Sequence, residues 1–356
     1  MSGSQLLEEK LGAATGVVEH YVADESVEAV YLSGSLMAGL GTPFSDTDVF
    51  VITDGAPSEA VQHGAGADRV DVEFRSVEWL DQVTALARPY SSTMYDNQAL
   101  TTPPGLIDDA VRLRVGHDLK PSPRLTAVRA ALDDGDHNLR KLLVSQLAAD
   151  SGAAWMDALG FLSNGDLDSA GLVAQKVLLI GLDAACAAAG DLYRGGKWVW
   201  SRVRRDPVLA DAVPWLRDLL LEPAARPTLR RLLAAQEILA FALHRTWYPQ
   251  RPIPVPTEPP YALDGLVRSP YWMPFSLAAG FYLSERGARH FTAPDLALAC
   301  WAGARGRSRA EIERQVATVR GDEPELIRQT IDALRAIGAI GDAGQWESLF
   351  RSQERG

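Results

Sequence analysis

The sequence predicts an α+β protein: a small mixed sheet with flanking helices, then a helical bundle, then a shorter mixed region. Two apolar runs, residues 30–32 and 49–52, and a run of alternating apolar and charged residues, 69–74, predict neighbouring strands. Apolar residues repeat at helical spacing through most of residues 122–250, which predicts a bundle of amphipathic helices. The proline-rich stretch 252–260 predicts a semi-rigid linker.

Local patterns predict the individual elements in chain order. Helical spacing of apolar residues over 5–22 predicts an amphipathic helix before the first strand. Ser76 is a favourable N-cap for a helix over 77–86, and two prolines suit the first turn of a helix over 103–113. Residues 114–119 predict a short edge strand or a turn that closes the sheet. The bundle is then expected to contain helices over 125–132, 137–162, 167–189, 207–221 and 226–247.

These elements divide the chain of 356 residues into three domains, a number that suits its length. We expect the sheet domain over residues 1–120 and the helical domain over 121–250. The linker would occupy 251–260 and a C-terminal domain 261–356.

The amino-acid composition limits the classes of protein to which the chain can belong. Apolar residues make up 47% of the chain and charged residues 23%, which is typical of a protein with an ample core. With no apolar run of 18 residues and no signal-peptide pattern, we expect a cytoplasmic protein without a membrane span. Cys186 and Cys300 lie in alanine-rich surroundings and suggest buried thiols rather than a disulfide or a zinc site. The net charge of −11 argues against nucleic-acid binding and is compatible with a cationic small partner.

Two aspartates lead into the second strand. Asp46 and Asp48 are two residues apart, and alternation along a strand places such residues on the same face. Two neighbouring carboxylates repel each other unless a cation lies between them. The pattern therefore predicts a divalent-metal site.

A third carboxylate is expected from the alternating strand that follows. Asp71 and Glu73 share one face of that strand, so either could join the first two acids. We favour Asp71 and keep Glu73 as the alternative. Three carboxylates suit one or two Mg²⁺ ions, whose octahedral coordination is completed by water and by substrate phosphates.

The turn after the first strand supplies groups that suit a nucleotide. Gly34 allows the backbone to approach a ligand closely. If Ser35 begins the short helix expected over 36–40, its hydroxyl group and the free amides there can hold a triphosphate.

Together these residues resemble the signature of the polymerase-β-like nucleotidyltransferase superfamily: Gly-Ser, ten residues, Asp-x-Asp, then a later strand acid. Residues 69–80 are similar to the third-carboxylate strand and following helix of the kanamycin (aminoglycoside) nucleotidyltransferases. The resemblance assigns roles to six residues. The metal-binding acids would be Asp46, Asp48 and Asp71, the nucleotide loop Gly34 and Ser35, and the basic residue near the phosphates Arg69.

The resemblance implies a reaction with two Mg²⁺ ions, in which an acceptor hydroxyl attacks the α-phosphorus of a nucleoside triphosphate and pyrophosphate leaves. In the aminoglycoside enzymes a glutamate of the helical domain is the general base. Here that region offers Asp150 and Asp157, which share a face of one helix, and we favour Asp157. Further cations that could hold the triphosphate are Lys141, Lys176 and Lys197, the last in a glycine-flanked turn before Trp198.

The C-terminal domain is similar to a winged-helix module, because three helical runs at 295–301, 308–319 and 323–337 precede a glycine-containing turn. It also resembles, loosely, the small PqqD-like domains that grip leader peptides. We favour a structural or dimerisation role over peptide recognition, and a dimerisation role would make the protein a homodimer.

Several functions follow from these features. The first is nucleotidyl transfer to a hydroxyl group of a small acceptor, such as an aminoglycoside-like compound or another natural product. The second is nucleotidylation of a protein or peptide that the C-terminal domain recognises. The third is a non-catalytic nucleotide-binding protein or toxin–antitoxin component, which the intact set of three acids disfavours. A cyclic-nucleotide or oligonucleotide synthase is disfavoured by the short spacing from Asp48 to Asp71. Neither the base of the triphosphate nor the acceptor can be identified from the sequence.

Overall fold

The structure of the chain is a computed structural model, and it confirms the predicted α+β class. It describes residues 3–54, 60–64, 69–93, 96–222, 228–251, 253, 265–277 and 280–346. The chain divides into two compact units, Met1–Pro89 with Thr102–Leu139 and Tyr90–Thr101 with Arg140–Gly356. The three-domain division stays a prediction, and the linker lies outside the described residues except for Arg251 and Ile253.

The described part of the chain contains the following helices and strands. In chain order they are α1 Gly3–Ala23, β1 Val27–Ser33, α2 Gly34–Met37, β2 Thr47–Thr53, β3 Val61–His63, β4 Val70–Arg75, α3 Val77–Ala85, α4 Gln98–Thr101, α5 Pro104–Arg114, β5 His117–Lys120, α6 Pro123–Asp134, α7 Asp136–Ser163, α8 Leu167–Ala188, α9 Val199–Val203, α10 Pro207–Ala210, α11 Val213–Leu221, α12 Thr228–Trp247, β6 Leu266–Arg268, β7 Trp272–Leu277, β8 Gly280–Glu285, β9 Arg289–Ala293, α13 Asp295–Gly303, β10 Arg305–Arg307, α14 Arg309–Arg320, α15 Pro324–Ala336 and β11 Ile340–Asp342.

The first unit is built on a five-stranded sheet in the order β3-β4-β2-β1-β5. Strand β4 runs parallel to β2, and the other pairings are antiparallel. Strand β5 pairs with β1 at one edge, as residues 114–119 predict.

The two faces of this sheet differ in chemistry because side chains alternate along each strand. One face is an apolar core in which valines and leucines of β1, β2 and β4 pack on Ala14 and Val18 of α1. The other face carries three rows of aligned residues. The first row is Ser33, Asp48 and Asp71; the second is Tyr31, Phe50 and Glu73; the third includes Ile52 and Arg75.

The second unit contains a helical core and two small sheets. Helices α8 and α12 pack along each other. Strands β10, β6 and β11 form one sheet, while β7, β8 and β9 form an antiparallel meander that the sequence reading did not predict. Helices α13, α14 and α15 match the three expected C-terminal helices and contact one another.

One predicted helix is wrong in detail. The stretch 207–221 forms two helices, α10 and α11, rather than one. Asp206 caps α10 by accepting bonds from the Val208 and Leu209 amides, and Pro214 lies in the first turn of α11, where its missing amide is tolerated. The chain therefore restarts its helix at 213.

Helix α8 is long and apolar enough to cross a membrane by length and hydropathy alone, and it is the one such helix among the described residues. In the most apolar 18-residue window of α8, 67% is buried inside the protein. A buried core helix meets the same criteria of length and hydropathy.

Candidate functional site

Three strands place one residue each in a row at the end of the sheet. Ser33 of β1 is the register partner of Asp48, and Asp48 of β2 is the register partner of Asp71 on β4. Asp48 and Asp71 therefore lie side by side on the face opposite the apolar core. This arrangement results from the parallel pairing of two strands that each begin near an acid.

Gly34 follows this row directly and lies against Asp48. Its φ is +83°, a left-handed conformation that glycine adopts readily. A Cβ atom at this position would overlap the Oδ2 atom of Asp48. The turn and the carboxylate thus fit together only because residue 34 has no side chain.

The turn is anchored on both sides. The Ser33 hydroxyl donates a hydrogen bond of 2.5 Å to the Arg112 carbonyl of α5. After the turn, the Leu40 amide donates to the Ser35 carbonyl at 2.8 Å, and Ser35 itself is buried. The helix that begins here is the four-residue α2, which starts at Gly34 rather than at Ser35. The sequence prediction of a helix over 36–40 is therefore wrong in its bounds.

Arg69 connects two of the predicted acids. Its Nη2 atom lies 2.5 Å from Asp46 Oδ2 and 2.6 Å from Asp71 Oδ2, and its Nε donates to Asp71 at 3.0 Å. Both carboxylate oxygens thus approach the same nitrogen atom. Asp46 lies in the loop before β2 and not on the strand, so the expected alternation with Asp48 does not describe it.

Negative charge accumulates around Asp48. Burial raises the pKa of Asp48 to about 6; Arg112 opposes this increase, while Asp46, Glu73 and Asp71 add to it. An aspartate whose pKa is raised in this way lacks a full counter-charge. A cation bound beside Asp48 would supply that counter-charge.

Glu73, the alternative third acid, lies one row further along the strand and is engaged by arginines. Its carboxylate lies 2.7 Å from Arg75 Nη2 and 3.4 Å from Arg112 Nη1. Asp109 of α5 accepts from Arg75 at 3.2 Å and from the indole of Trp79. Because Glu73 belongs to this charged network while Asp71 is the partner of Asp48, the geometry favours Asp71.

Arg112 is a site residue that the sequence reading missed. Its guanidinium lies 5.9 Å from the Phe50 ring centroid and is the largest electrostatic influence that lowers the pKa of Asp48. Its carbonyl also holds Ser33. No local motif marks Arg112; its spacing of three residues from Asp109 along α5 gives it a shared helix face, but only the fold shows that this face meets the strands.

Asp46, Asp48 and Asp71 have side chains of the type that binds Mg²⁺, but the structure does not gather them around one point. Among the described residues, no three His, Cys, Asp or Glu side chains are gathered closely enough to hold an ion. However, Asp46, Asp48 and Asp71 offer carboxylate oxygens, the donors that Mg²⁺ prefers, and a guanidinium already lies between two of them. Exposed ion pairs contribute about 0–1 kcal/mol each, and Arg69 is 39% exposed, so a divalent cation can displace it. The donor atoms of Asp46, Asp48 and Asp71 therefore suit the ion by their chemistry, while Arg69 occupies the space between two of them.

Two predicted site residues belong to the second unit. Asp157 is exposed on α7, as is Asp150. Lys197 is exposed in a 3₁₀ turn, Gly196–Trp198, with its Nζ atom 5.0 Å from the Trp198 ring centroid. The other six, Gly34, Ser35, Asp46, Asp48, Arg69 and Asp71, belong to the first unit.

The remaining candidate lysines also lie in the second unit. Lys176 is exposed on α8. Lys141 is half-buried on α7, where burial lowers its pKa, and its Nζ atom lies 5.6 Å from the Trp247 ring centroid.

Comparisons with known proteins give a weak likeness in fold. No family model matches the chain, and no curated protein matches it. Among solved structures, the chain is similar to that of a nucleotidyltransferase-like protein from Exiguobacterium sibiricum 255-15, with 13% sequence identity and a TM-score of 0.37. The match covers 67% of this chain and 78% of that one. A likeness at this level concerns the fold alone and assigns no role to any residue.

Proposed function

We propose that the chain is a Mg²⁺-dependent nucleotidyltransferase that moves a nucleoside monophosphate from a nucleoside triphosphate to a hydroxyl group of a small acceptor, releasing pyrophosphate. The observation that carries the proposal is the alignment of Asp48 with Asp71 in neighbouring strands, with the Asp48 carboxylate packed against Gly34. This alignment places a close-approach backbone turn beside two carboxylates. A metal-bound triphosphate needs both.

The residues of the site have distinct roles in this proposal. Asp46, Asp48 and Asp71 would hold the metal, which when bound supplies Lewis-acid charge that activates the acceptor hydroxyl and neutralises the triphosphate. The Gly34–Ser35 turn would receive the triphosphate. Catalysis of this kind depends mainly on positioning and electrostatics, so these few groups suffice.

Two arginines extend the site. Arg69, once displaced from the Asp46 and Asp71 carboxylates, remains beside them as a flexible guanidinium that can bind phosphate oxygens. The guanidinium of Arg112 lies 5.9 Å from the Phe50 ring centroid and 3.4 Å from Glu73, and its charge lowers the pKa of Asp48. Arg112 would add a second, more fixed positive charge near the phosphates.

The acceptor is proposed to be a hydroxylated small molecule, and a cationic one would be attracted by the net charge of −11. Asp157 is our proposed general base, since it is exposed on α7 and therefore open to a substrate. Lys197 is proposed as a further phosphate-binding cation for the same reason. The roles proposed for Asp157 and Lys197 apply only if Asp46, Asp48 and Asp71 form the metal site.

The experiment that tests the proposal is a transfer assay with triphosphates labelled at the α-phosphate, Mg²⁺ and a panel of hydroxylated amines that includes aminoglycosides. We expect label on a small acceptor together with stoichiometric pyrophosphate release. Asp48→Asn and Asp71→Asn should abolish both. Asp81→Asn is the matched control, because Asp81 is an exposed acid of the same unit that pairs with Arg124 on the surface.

Two outcomes would contradict the proposal. Label on the polypeptide instead of a small acceptor would overturn the acceptor class. Pyrophosphate release that persists in Asp48→Asn would remove the carboxylate row from the reaction.

A further inference from the structure

The loop between α2 and β2 joins two parts of the proposed site. It follows the Gly34–Ser35 turn, which would receive the triphosphate, and it leads to Asp46, the first of the three acids. Its early part packs tightly, because a Cβ atom at Gly41 would lie 2.4 Å from the Leu36 Cδ2 atom. The loop is therefore held against the site along its course.

The last part of this loop is a tight turn over Thr42–Ser45. The Ser45 amide donates a hydrogen bond of 2.9 Å to the Thr42 carbonyl, and the Thr42 amide donates one of 2.9 Å to the Ser45 hydroxyl. The Phe44 amide donates to the Thr42 hydroxyl at 3.3 Å. Pro43, at the second position of the turn, has a fixed φ angle that suits this place. The backbone of Phe44 is therefore held by three hydrogen bonds and a proline.

This turn presents the Phe44 side chain to solvent. Phe44 is 86% exposed, the largest exposed fraction among the large apolar residues that the structure describes, whereas the adjacent Ser45 is buried. Within the described part of the first unit, it is the one phenylalanine, tyrosine or tryptophan that is largely exposed. Isolated exposed apolar side chains are common on protein surfaces, but one on a fixed turn beside a ligand site can be buried by that ligand with a gain in affinity.

Phe44 lies within reach of a ligand held by the acids. Two residues of chain span at most about 7 Å, so the backbone of Phe44 lies within that distance of Asp46. This distance is shorter than an extended nucleoside triphosphate, whose base lies beyond its phosphates and ribose. A nucleotide whose phosphates bind at Asp46 and the Gly34–Ser35 turn can therefore bring its base to the Phe44 ring.

The rest of the site offers a base no comparable surface among the described residues. Asp46, Asp48, Asp71 and Arg69 carry charges that suit a metal ion and phosphates. Phe50, on the same face of the sheet as Asp48 and Asp71, is fully buried. A hydroxylated amine, the proposed acceptor, has no aromatic ring to place on Phe44. The planar group that fits Phe44 is therefore the base of the nucleotide.

We propose that Phe44 is the base-stacking residue of the site and that it holds the nucleotide through the face of its base. This inference rests on the proposed nucleotidyl transfer and names the residue that positions the donor. Such stacking tolerates every base, because each base has a π-face.

The test is calorimetric titration of the full chain, in the presence of Mg²⁺, with two kinds of probe. ATP, GTP, CTP and UTP carry a base, and inorganic tripolyphosphate does not. Phe44→Ala should weaken nucleotide binding about tenfold and leave tripolyphosphate binding unchanged. Phe44→Trp, which keeps an aromatic face, should bind nucleotides at least as tightly as the wild type. Because Phe44 is so exposed, neither variant should shift the thermal unfolding midpoint.

Phe161→Ala is the matched control, because Phe161 is an exposed phenylalanine of the second unit. It should bind both kinds of probe as the wild type does. Failure of the wild type to bind either probe would overturn the nucleotide site itself and this inference with it. Nucleotide binding that Phe44→Ala leaves unchanged would overturn the stacking role alone, and so would an equal loss of tripolyphosphate binding.

Discussion

Asp48 of the first unit and His244 of the second unit are both buried titratable groups, and they differ in the sign of the charge that burial opposes. Asp48 is buried near the further acids Asp46, Glu73 and Asp71, whereas His244 is buried beside the guanidinium of Arg320. Each of the two groups therefore has a pKa that is shifted against its charged form. The difference shows that burial opposes a charge of either sign and that neighbouring charges of the same sign add to its effect.

The two groups also differ in how their surroundings are encoded. All three acids of the carboxylate site come from residues 46–71, and the pairing of β2 with β4 aligns two of them, Asp48 and Asp71. The partner of His244, by contrast, is Arg320, which is far from it along the chain. The predictions below test this contrast, in order of decreasing effect.

Gly34→Ala should have the largest effect on the carboxylate site. The new Cβ atom would overlap Asp48 Oδ2, and alanine would be strained at a φ of +83°. We expect a loss of nucleotide binding of at least 100-fold and a loss of at least about 2 kcal/mol in unfolding free energy. Calorimetry and chemical denaturation measure both quantities.

Gly12→Ala is the control for Gly34, because a Cβ atom at Gly12 in α1 meets nothing within 4 Å. It should leave binding unchanged and stabilise the helix by about 0.5–1 kcal/mol. Equal behaviour of the two variants would contradict the close packing of Gly34 on Asp48.

His244 should make the stability of the protein depend on pH. Its pKa falls from 6.5 to about 4 on folding, so the unfolded chain binds the additional proton between these values. Stability should therefore decrease as pH falls from 6.5 to 4, by about 3 kcal/mol from this group.

The measurement for His244 is denaturation over that pH range for the wild type and His244→Asn. The variant should lose this part of the pH dependence. A protein that gained stability through the same pH window would show that His244 is not held neutral.

Asp48→Asn should stabilise the protein, in contrast to most buried polar substitutions. The pKa of Asp48 rises from 3.8 to about 6 on folding, so its ionised form is costly above pH 6. We expect the free energy of unfolding of Asp48→Asn to exceed that of the wild type by about 2 kcal/mol at pH 8 and to equal it by pH 4. Denaturation at both pH values measures this difference. Asp81→Asn, which changes an exposed acid, should alter stability by less than about 0.5 kcal/mol at either pH.

Arg69→Gln should have the smallest effect and should act on metal binding. The guanidinium competes with a cation for Asp46 and Asp71, so its removal should raise Mg²⁺ affinity several-fold. Unfolding free energy should change by less than about 1 kcal/mol, because the ion pairs are exposed. Arg124→Gln, at an exposed ion pair of the same unit, should leave Mg²⁺ affinity unchanged. Titration with Mg²⁺ measures the affinity of each variant. Weaker Mg²⁺ binding by Arg69→Gln would contradict a competition between Arg69 and the ion.

The sequence predicts the first unit well because its signals are local. A continuous apolar run identifies β2, alternation identifies β4, and the helix before β1 has apolar residues at helical spacing. The loop position of Asp46 was missed because alternation cannot show where a strand begins. Arg112 was missed because its role depends on α5 lying beside Ser33 and Phe50, a long-range contact.

In the second unit, sequence patterns predict the helices but not the surroundings of His244. The meander β7–β9 was not predicted. The His244–Arg320 pair joins two helices that are far apart in the chain, so no spacing rule could indicate it.

The most direct test of the central proposal is calorimetric binding of ATP, GTP, CTP and UTP with and without Mg²⁺, for the wild type and Asp71→Asn. If Asp46, Asp48 and Asp71 hold magnesium beneath a triphosphate, at least one nucleotide should bind with 1:1 stoichiometry only when Mg²⁺ is present, and Asp71→Asn should abolish that binding. Failure of all four nucleotides to bind, or binding that is indifferent to Mg²⁺ and to Asp71, would contradict it.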